Sequence, residues 1–138
     1  MFHRGRRLRR TAAMRALVRE AHVRPEDLIM PYFVEETKDA ALQTPIGSMP
    51  GQFRLSLDNL ERMVETDVKA GLKACLLFGI PAAKDPAGTQ AYAENGIVQQ
   101  AVSRLKKACP ELVVITDVCL CEYTSHGHCG LLSPEGEV

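Results

Sequence analysis

Three cysteines, Cys119, Cys121 and Cys129, fall within one short run of the 138-residue chain: Asp117-Val118-Cys119-Leu120-Cys121-Glu122-Tyr123-Thr124-Ser125-His126-Gly127-His128-Cys129-Gly130. Thiolates are soft ligands that suit zinc best, and Gly127 and Gly130 let the backbone fold back so that the three sulfurs can converge. Three protein ligands with an open fourth position are the pattern of a catalytic zinc. A fourth ligand from His126 or His128 would close the site and make it structural. Buried thiols beside a turn are the bland alternative, which fits a lone cysteine better than three interleaved with two histidines. Cys75 and Cys109 read in that bland way, one in mid-strand and one at a helix end. The total of five cysteines is odd, which is poor material for a disulfide framework. A redox couple of Cys119 and Cys121 departs from the usual C-x-x-C spacing and does not open a helix that would lower a thiol pKa. Asp117 ends an apolar run, where an ionisable group is costly unless paired. That favours an active-site role, with capping of the loop as the structural alternative. His3 and His22 are isolated and read as surface residues.

The elements that must carry this segment can be followed along the chain. Thr11 to Glu20 places Met14, Leu17 and Val18 on one helical face, with Pro25 as its stop. Asp27 to Val34 reads as a first strand, weakened by Pro31, since proline prefers an edge or a strand end. Glu35 to Arg54 is a long connection with Pro45, Gly47, Pro50 and Gly51, of a length that is usually functional or hides a little structure. Ser56 is a good N-cap, followed by Leu57, Leu60, Val64 and Val68 at helical spacing, and Gly71 closes that helix. Ala74 to Ile80 is continuously apolar, as in a strand buried on both faces. Pro81 to Gly96 is a polar loop. Asn95 is expected to cap a second helix with Ile97, Ala101, Leu105 and Ala108 on its apolar face and basic residues in its last turn. Pro110 ends it, and Leu112 to Val118 forms a third strand.

This βαβαβ order implies a parallel sheet with right-handed crossovers. No glycine fingerprint follows the first strand, and its loop is too long for a dinucleotide-binding phosphate turn. The expected fold class is therefore α/β: an N-terminal arm, then the first three strands of a (β/α)8 barrel. The barrel is incomplete here, since a whole one takes roughly 250 residues. The cysteine segment begins at the C-terminal end of the third strand, where such folds keep their active sites. Residues 1–24 are the arm with its short helix, and residues 25–138 the partial barrel domain ending in the zinc-binding loop.

Apolar residues make up 46% and charged residues 25%, with zero formal net charge, which excludes a strongly basic nucleic-acid binder and a disordered chain. The charge is uneven. Arg4, Arg6, Arg7, Arg9, Arg10, Arg15, Arg19 and Arg24 crowd the arm, which suits packing on a neighbouring subunit better than a transit peptide. No apolar run reaches membrane-spanning length, and a cytoplasmic protein is expected.

Residue order in the cysteine segment closely resembles the zinc-binding signature of porphobilinogen synthases (5-aminolaevulinate dehydratases). The resemblance extends to Arg6-Arg7-Leu8-Arg9-Arg10 and Met14-Arg15-Ala16-Leu17-Val18 in the arm, and to Asp27 through Val34. It continues in Ser48-Met49-Pro50-Gly51, and in Leu77-Phe78-Gly79-Ile80-Pro81 with Lys84-Asp85 beyond. The three cysteines place the chain in the zinc-dependent branch. The resemblance implies a barrel enzyme, commonly octameric, whose arms embrace partner subunits. It condenses two molecules of 5-aminolaevulinate into porphobilinogen, in tetrapyrrole (haem) synthesis, and is thus a lyase. Zinc on Cys119, Cys121 and Cys129 would act as a Lewis acid, and Asp117 would help position an amine or a lysine. The family's two Schiff-base lysines lie downstream, and no lysine here matches them, so this segment alone is expected to be inactive. A non-catalytic zinc-binding or assembly module is the alternative reading.

Overall fold

The computed structural model describes residues 5–138; His3 and Arg4 of the arm lie outside the described residues. The strands are β1 (Ile29–Glu35), β2 (Gln43–Pro45), β3 (Phe53–Leu55), β4 (Ala74–Ile80) and β5 (Val113–Thr116). The helices are α1 (Ala12–Leu17), α2 (Leu57–Lys69) and α3 (Ile97–Ala108). One sheet runs β2-β3-β1-β4-β5. Its β3–β1–β4–β5 neighbours are parallel, and β2 joins β3 antiparallel. The long connection after β1 thus hides a small hairpin, which lengthens the expected three strands to five. Pro31 is tolerated because β1 meets β3 only at Phe33 and Val34, beyond the proline, while Pro31 itself lies opposite Leu76 of β4.

Helix α2 begins as its sequence dictates: the Ser56 hydroxyl accepts from the Asn59 N–H at 3.2 Å and donates to the Ala40 carbonyl at 2.6 Å, tying the cap to the loop before it. Gly71, at φ +112°, ends it by a turn that side-chain-bearing residues rarely make. The cap of α3 is Gly96 rather than Asn95, and it makes no side-chain cap bond. Instead the Gly96 carbonyl accepts from Gln100 while the Asn95 carbonyl holds the Gln100 side chain at 2.7 Å. Between the two helices Arg104 donates to Asp58 at 2.6 Å and to Glu61 at 2.7 Å.

The core lies between the sheet and these helices: Tyr32, Val34, Leu55, Cys75 and Leu77 of the strands meet Leu60, Val64, Ala101 and Leu105. Here β4 departs from expectation. Its burial alternates, with Cys75, Leu77 and Gly79 buried and Ala74, Leu76, Phe78 and Ile80 only partly covered. The helices cover one face; on the other, Phe33 and Phe78 stack at 5.2 Å and are only partly buried. Strand β5 is an edge, with Val113 57% exposed.

The arm behaves differently again. Thr11 caps α1 by accepting from the Met14 N–H, but the helix ends at Leu17, short of the expected Glu20, and buries no residue. A two-turn helix without packing has little to hold it beyond its cap. Leu17 and Val23 are 79% and 77% exposed.

Candidate metal centre

Strand β5 stops at Thr116, and the Asp117 N–H still reaches the Leu77 carbonyl at 3.4 Å, so the sheet steers the chain into the cysteine loop. Leu120 begins a tight turn, its carbonyl accepting from both the Tyr123 and the Thr124 N–H at 2.9 Å. Gly127, at φ +77°, makes the return that a β-carbon would hinder. The Thr124 hydroxyl then donates to the His128 carbonyl at 2.9 Å, which brings Cys129 back over the start of the loop.

These turns bring the Cys119 Sγ to 2.8 Å from both the Cys121 Sγ and the Cys129 Sγ. All three cysteines are free, and the separation exceeds the roughly 2.05 Å of a disulfide. Hydrogen bonds with Cys121 and then Cys129 push the Cys119 thiol up to about 12, while the bond with Cys119 holds Cys129 below the ordinary thiol value. Sulfurs that share protons in this way are placed to share a cation instead, and an all-thiol donor set fits a soft ion such as zinc. Asp117, Cys119 and Glu122 form a second group whose ligand atoms lie within 4.8 Å of one another, so two carboxylates flank the sulfurs.

Neither histidine joins either group. The His126 Nε2 lies 3.1 Å from the Pro86 carbonyl, and its Nδ1 accepts from the His128 N–H at 3.2 Å, so both ring nitrogens are engaged. The His128 ring lies against that of His126, with centroids 5.6 Å apart. Asp117 is exposed rather than buried, so the cost of burying its charge does not arise; it stands at the rim of an open cavity of about 770 Å³. Thr116, Cys119, Tyr123 and Cys129 line that cavity beside Asp117, and Val98, Gln99 and Val102 of α3 face them. No lysine contributes to its lining.

Two supports escaped sequence reasoning. Tyr123 is 8% exposed and packs its hydroxyl against Gly79, where any β-carbon would collide with it. The glycine inside an apolar strand was the available signal, since such a glycine marks a close approach. The second is an isolated parallel bridge between Asp85 and Thr124, joining the loop after β4 to the cysteine loop. Asp85-Pro86-Ala87-Gly88 is plainly a turn by composition, but its partner was not legible.

A sequence model of the delta-aminolevulinic acid dehydratase family matches residues 2–138. Curated relatives of that name include one from Halalkalibacterium halodurans, 49% identical over 99% of this chain and 41% of its own length. Another, from Archaeoglobus fulgidus, is 47% identical over 98% of this chain and 41% of its own length. One from Ruminiclostridium josui is 46% identical over 99% of this chain and 65% of its own length. Among solved structures, a delta-aminolevulinic acid dehydratase (porphobilinogen synthase) from Toxoplasma gondii in complex with its reaction product porphobilinogen superposes with a TM-score of 0.85. Its identity is 36%, covering 98% of this chain and 38% of that one. The chain therefore spans about two fifths of the length of most of these relatives. Strands β1, β4 and β5 with α2 and α3 are the first three strands and two crossovers of a (β/α)8 barrel that is incomplete in this chain. A family match along all but the first residue, over a fold that superposes throughout, establishes that this chain belongs to the delta-aminolevulinic acid dehydratase family.

Proposed function

We propose that this chain is the metal-binding segment of a porphobilinogen synthase, which condenses two molecules of 5-aminolaevulinate into porphobilinogen in haem synthesis. The observation that carries the reading is the convergence of Cys119, Cys121 and Cys129 at the C-terminal end of β5, beside an open cavity with Asp117 at its rim. The three thiolates would hold zinc and leave a position for substrate, because His126 is engaged elsewhere. Bound there, zinc supplies Lewis acidity toward a substrate carbonyl or a water. Asp117 is exposed to the cavity, where its carboxylate can hold an ammonium group or take a proton from an amine. Val98 and Val102 give that cavity an apolar wall, and Tyr123 also lines it.

On this reading the 138-residue chain alone does not turn over. Its lysines stand off the cavity; Lys106, for example, bonds the Leu112 carbonyl at 3.0 Å. Covalent catalysis on a carbonyl needs an amine in a desolvated pocket, and positioning supplies much of the barrier reduction in a two-substrate condensation. The test is zinc analysis of the chain against a Cys119→Ser/Cys121→Ser/Cys129→Ser variant, with 5-aminolaevulinate and borohydride added to the zinc-loaded chain. Zinc bound only by the parent, with no reduced adduct, is expected. Equal zinc in both, or a stoichiometric adduct on one lysine, would refute it.

The exposed arm favours a second, compatible role in assembly. Leu17 and Val23 are largely exposed and Leu8 about half exposed on a basic segment, as suits a homo-oligomer built through residues 1–24, with 25–138 as the barrel domain. No helix among the described residues is long and apolar enough to cross a membrane.

A further inference from the structure

Seven residues separate Cys121 from Cys129, and they must make a return for the third sulfur to meet the other two. Only Tyr123 and Thr124 of that span are buried, so little apolar packing holds it. What meets it from outside is the turn that follows β4. We infer that Asp85 is the positioning residue of the thiol centre, fixing the midpoint of the cysteine loop without touching any sulfur.

The carboxylate builds the turn. It accepts from the Ala87 N–H at 2.8 Å, the Thr89 N–H at 3.2 Å and the Thr89 hydroxyl, and the Asp85 carbonyl accepts from the Gly88 N–H at 3.2 Å. Gly88 completes the turn at φ +62°. The bond to the Thr89 hydroxyl, foremost, keeps the Asp85 carboxyl below its usual range, so the anion that makes these bonds is the favoured form. A turn fixed in this way presents the Asp85 backbone to the other loop. Its N–H donates to the Tyr123 carbonyl at 3.3 Å, and its carbonyl accepts from the Ser125 N–H at 3.0 Å, bracketing Thr124. The neighbouring Pro86 carbonyl lies 3.1 Å from the His126 Nε2. Thr124 in turn bonds the His128 carbonyl, next to Cys129. One continuous set of hydrogen bonds therefore runs from the Asp85 carboxylate to the return that delivers the third thiol. Without the carboxylate the turn loses its three side-chain acceptor bonds, and the return must be ordered by the loop alone, at an entropic cost.

The inference deepens the metal reading above and rests on it for one of two measurements. The first needs no metal. In a chain with Cys121→Ser, Cys75→Ala and Cys109→Ala, Cys119 and Cys129 are the remaining thiols, and trivalent phenylarsenoxide is captured only where they meet. Asp85→Ala should weaken that capture by about tenfold or more, and Asp85→Asn should recover part of it. Arg104→Ala, which removes an ion-pair clamp between α2 and α3, should leave it unchanged. The second measurement is cobalt and zinc affinity by chelator competition in the chain with all its cysteines, where Asp85→Ala should cost about 10- to 100-fold, the range for outer partners of a metal site. If Asp85→Ala does not fold, Thr89→Val, which removes one donor to the carboxylate, must show the same losses in smaller measure. Equal capture and equal metal affinity in parent and variants would overturn the inference. A parent that captures the arsenical but binds no metal would overturn the metal reading, and the arsenical comparison would still decide the role of Asp85.

Discussion

On the helix-covered face of the sheet, Cys75, Leu77 and Val34 meet Leu60, Ala101 and Leu105 through apolar burial, whereas Cys119, Cys121 and Cys129 meet through turns and single hydrogen bonds. The first region draws on a non-directional force that grows with every buried methylene, so its parts are interchangeable in kind. The second depends on directed bonds, each of modest net worth and each needed to aim one atom. Stability is therefore concentrated in the sheet and helices, and the cysteine cluster lies in a loop that contributes little to it. Substitutions should separate the two regions.

The largest effect is expected in the core. Leu77 is fully buried, and Leu77→Ala should cost about 2–5 kcal/mol of unfolding free energy by denaturant titration. Unaltered stability would mean that this face is not the packed one. Gly79→Ala probes the seam between the regions. A methyl there would run into the Tyr123 hydroxyl and come within 2.6 Å of the Val98 Cγ2, and overpacking of this kind costs about 1–3 kcal/mol. Unlike Leu77→Ala, it should also loosen the cysteine loop, read as faster alkylation of Cys129 at matched denaturant distance from the midpoint.

A smaller effect is one of pH. Burial pushes the Cys75 thiol up to about 11, from an ordinary 9.0 that the unfolded chain would show. The unfolded form ionises first, so the contribution of Cys75 is intact below about pH 9 and is lost as pH rises through about 11. Denaturation curves at pH 8 and pH 10.5 should show a fall that Cys75→Ala reduces. Tyr32, also raised by burial and by its bond to Asp67, accounts for part of what remains. The smallest effect belongs to the arm. Leu17 is 79% exposed, and Leu17→Ala should shift stability by less than about 0.5 kcal/mol in dilute solution. A larger loss that grows with protein concentration would instead place α1 in a subunit contact.

The same division explains what the sequence made legible. Ser56, the spacing of Leu57, Leu60 and Val64, and the apolar run Ala74 to Ile80 are local signals, and α2 and β4 appear where they say. The cysteines announced themselves by type and spacing. The hairpin of β2 and β3 did not, because three-residue strands carry no period to read. Nor did the second face of β4, since an apolar run looks the same whether one side or both are covered. The bridge that pairs Asp85 with Thr124 spans 39 positions, and nothing local to either residue encodes it. The third strand stops at Thr116 rather than the expected Val118, so Asp117 follows it, and its exposure removes the argument from burial.

The edge strand β5 has a bearing on colloidal behaviour. Val113-Val114-Ile115-Thr116 is short, uncharged and rich in β-branched residues, and among the described residues no strand pairs with its outer side. Such a segment is a template for self-templated cross-β growth when two copies meet. Glu111 stands two residues before it and Asp117 immediately after, both exposed. Their like charges act as gatekeepers, since stacking copies in register would bring carboxylates on carboxylates. Within these 138 residues the charge of Asp117 therefore bears on self-association, and Asp117→Asn should speed aggregation of the isolated chain, read by light scattering and dye binding.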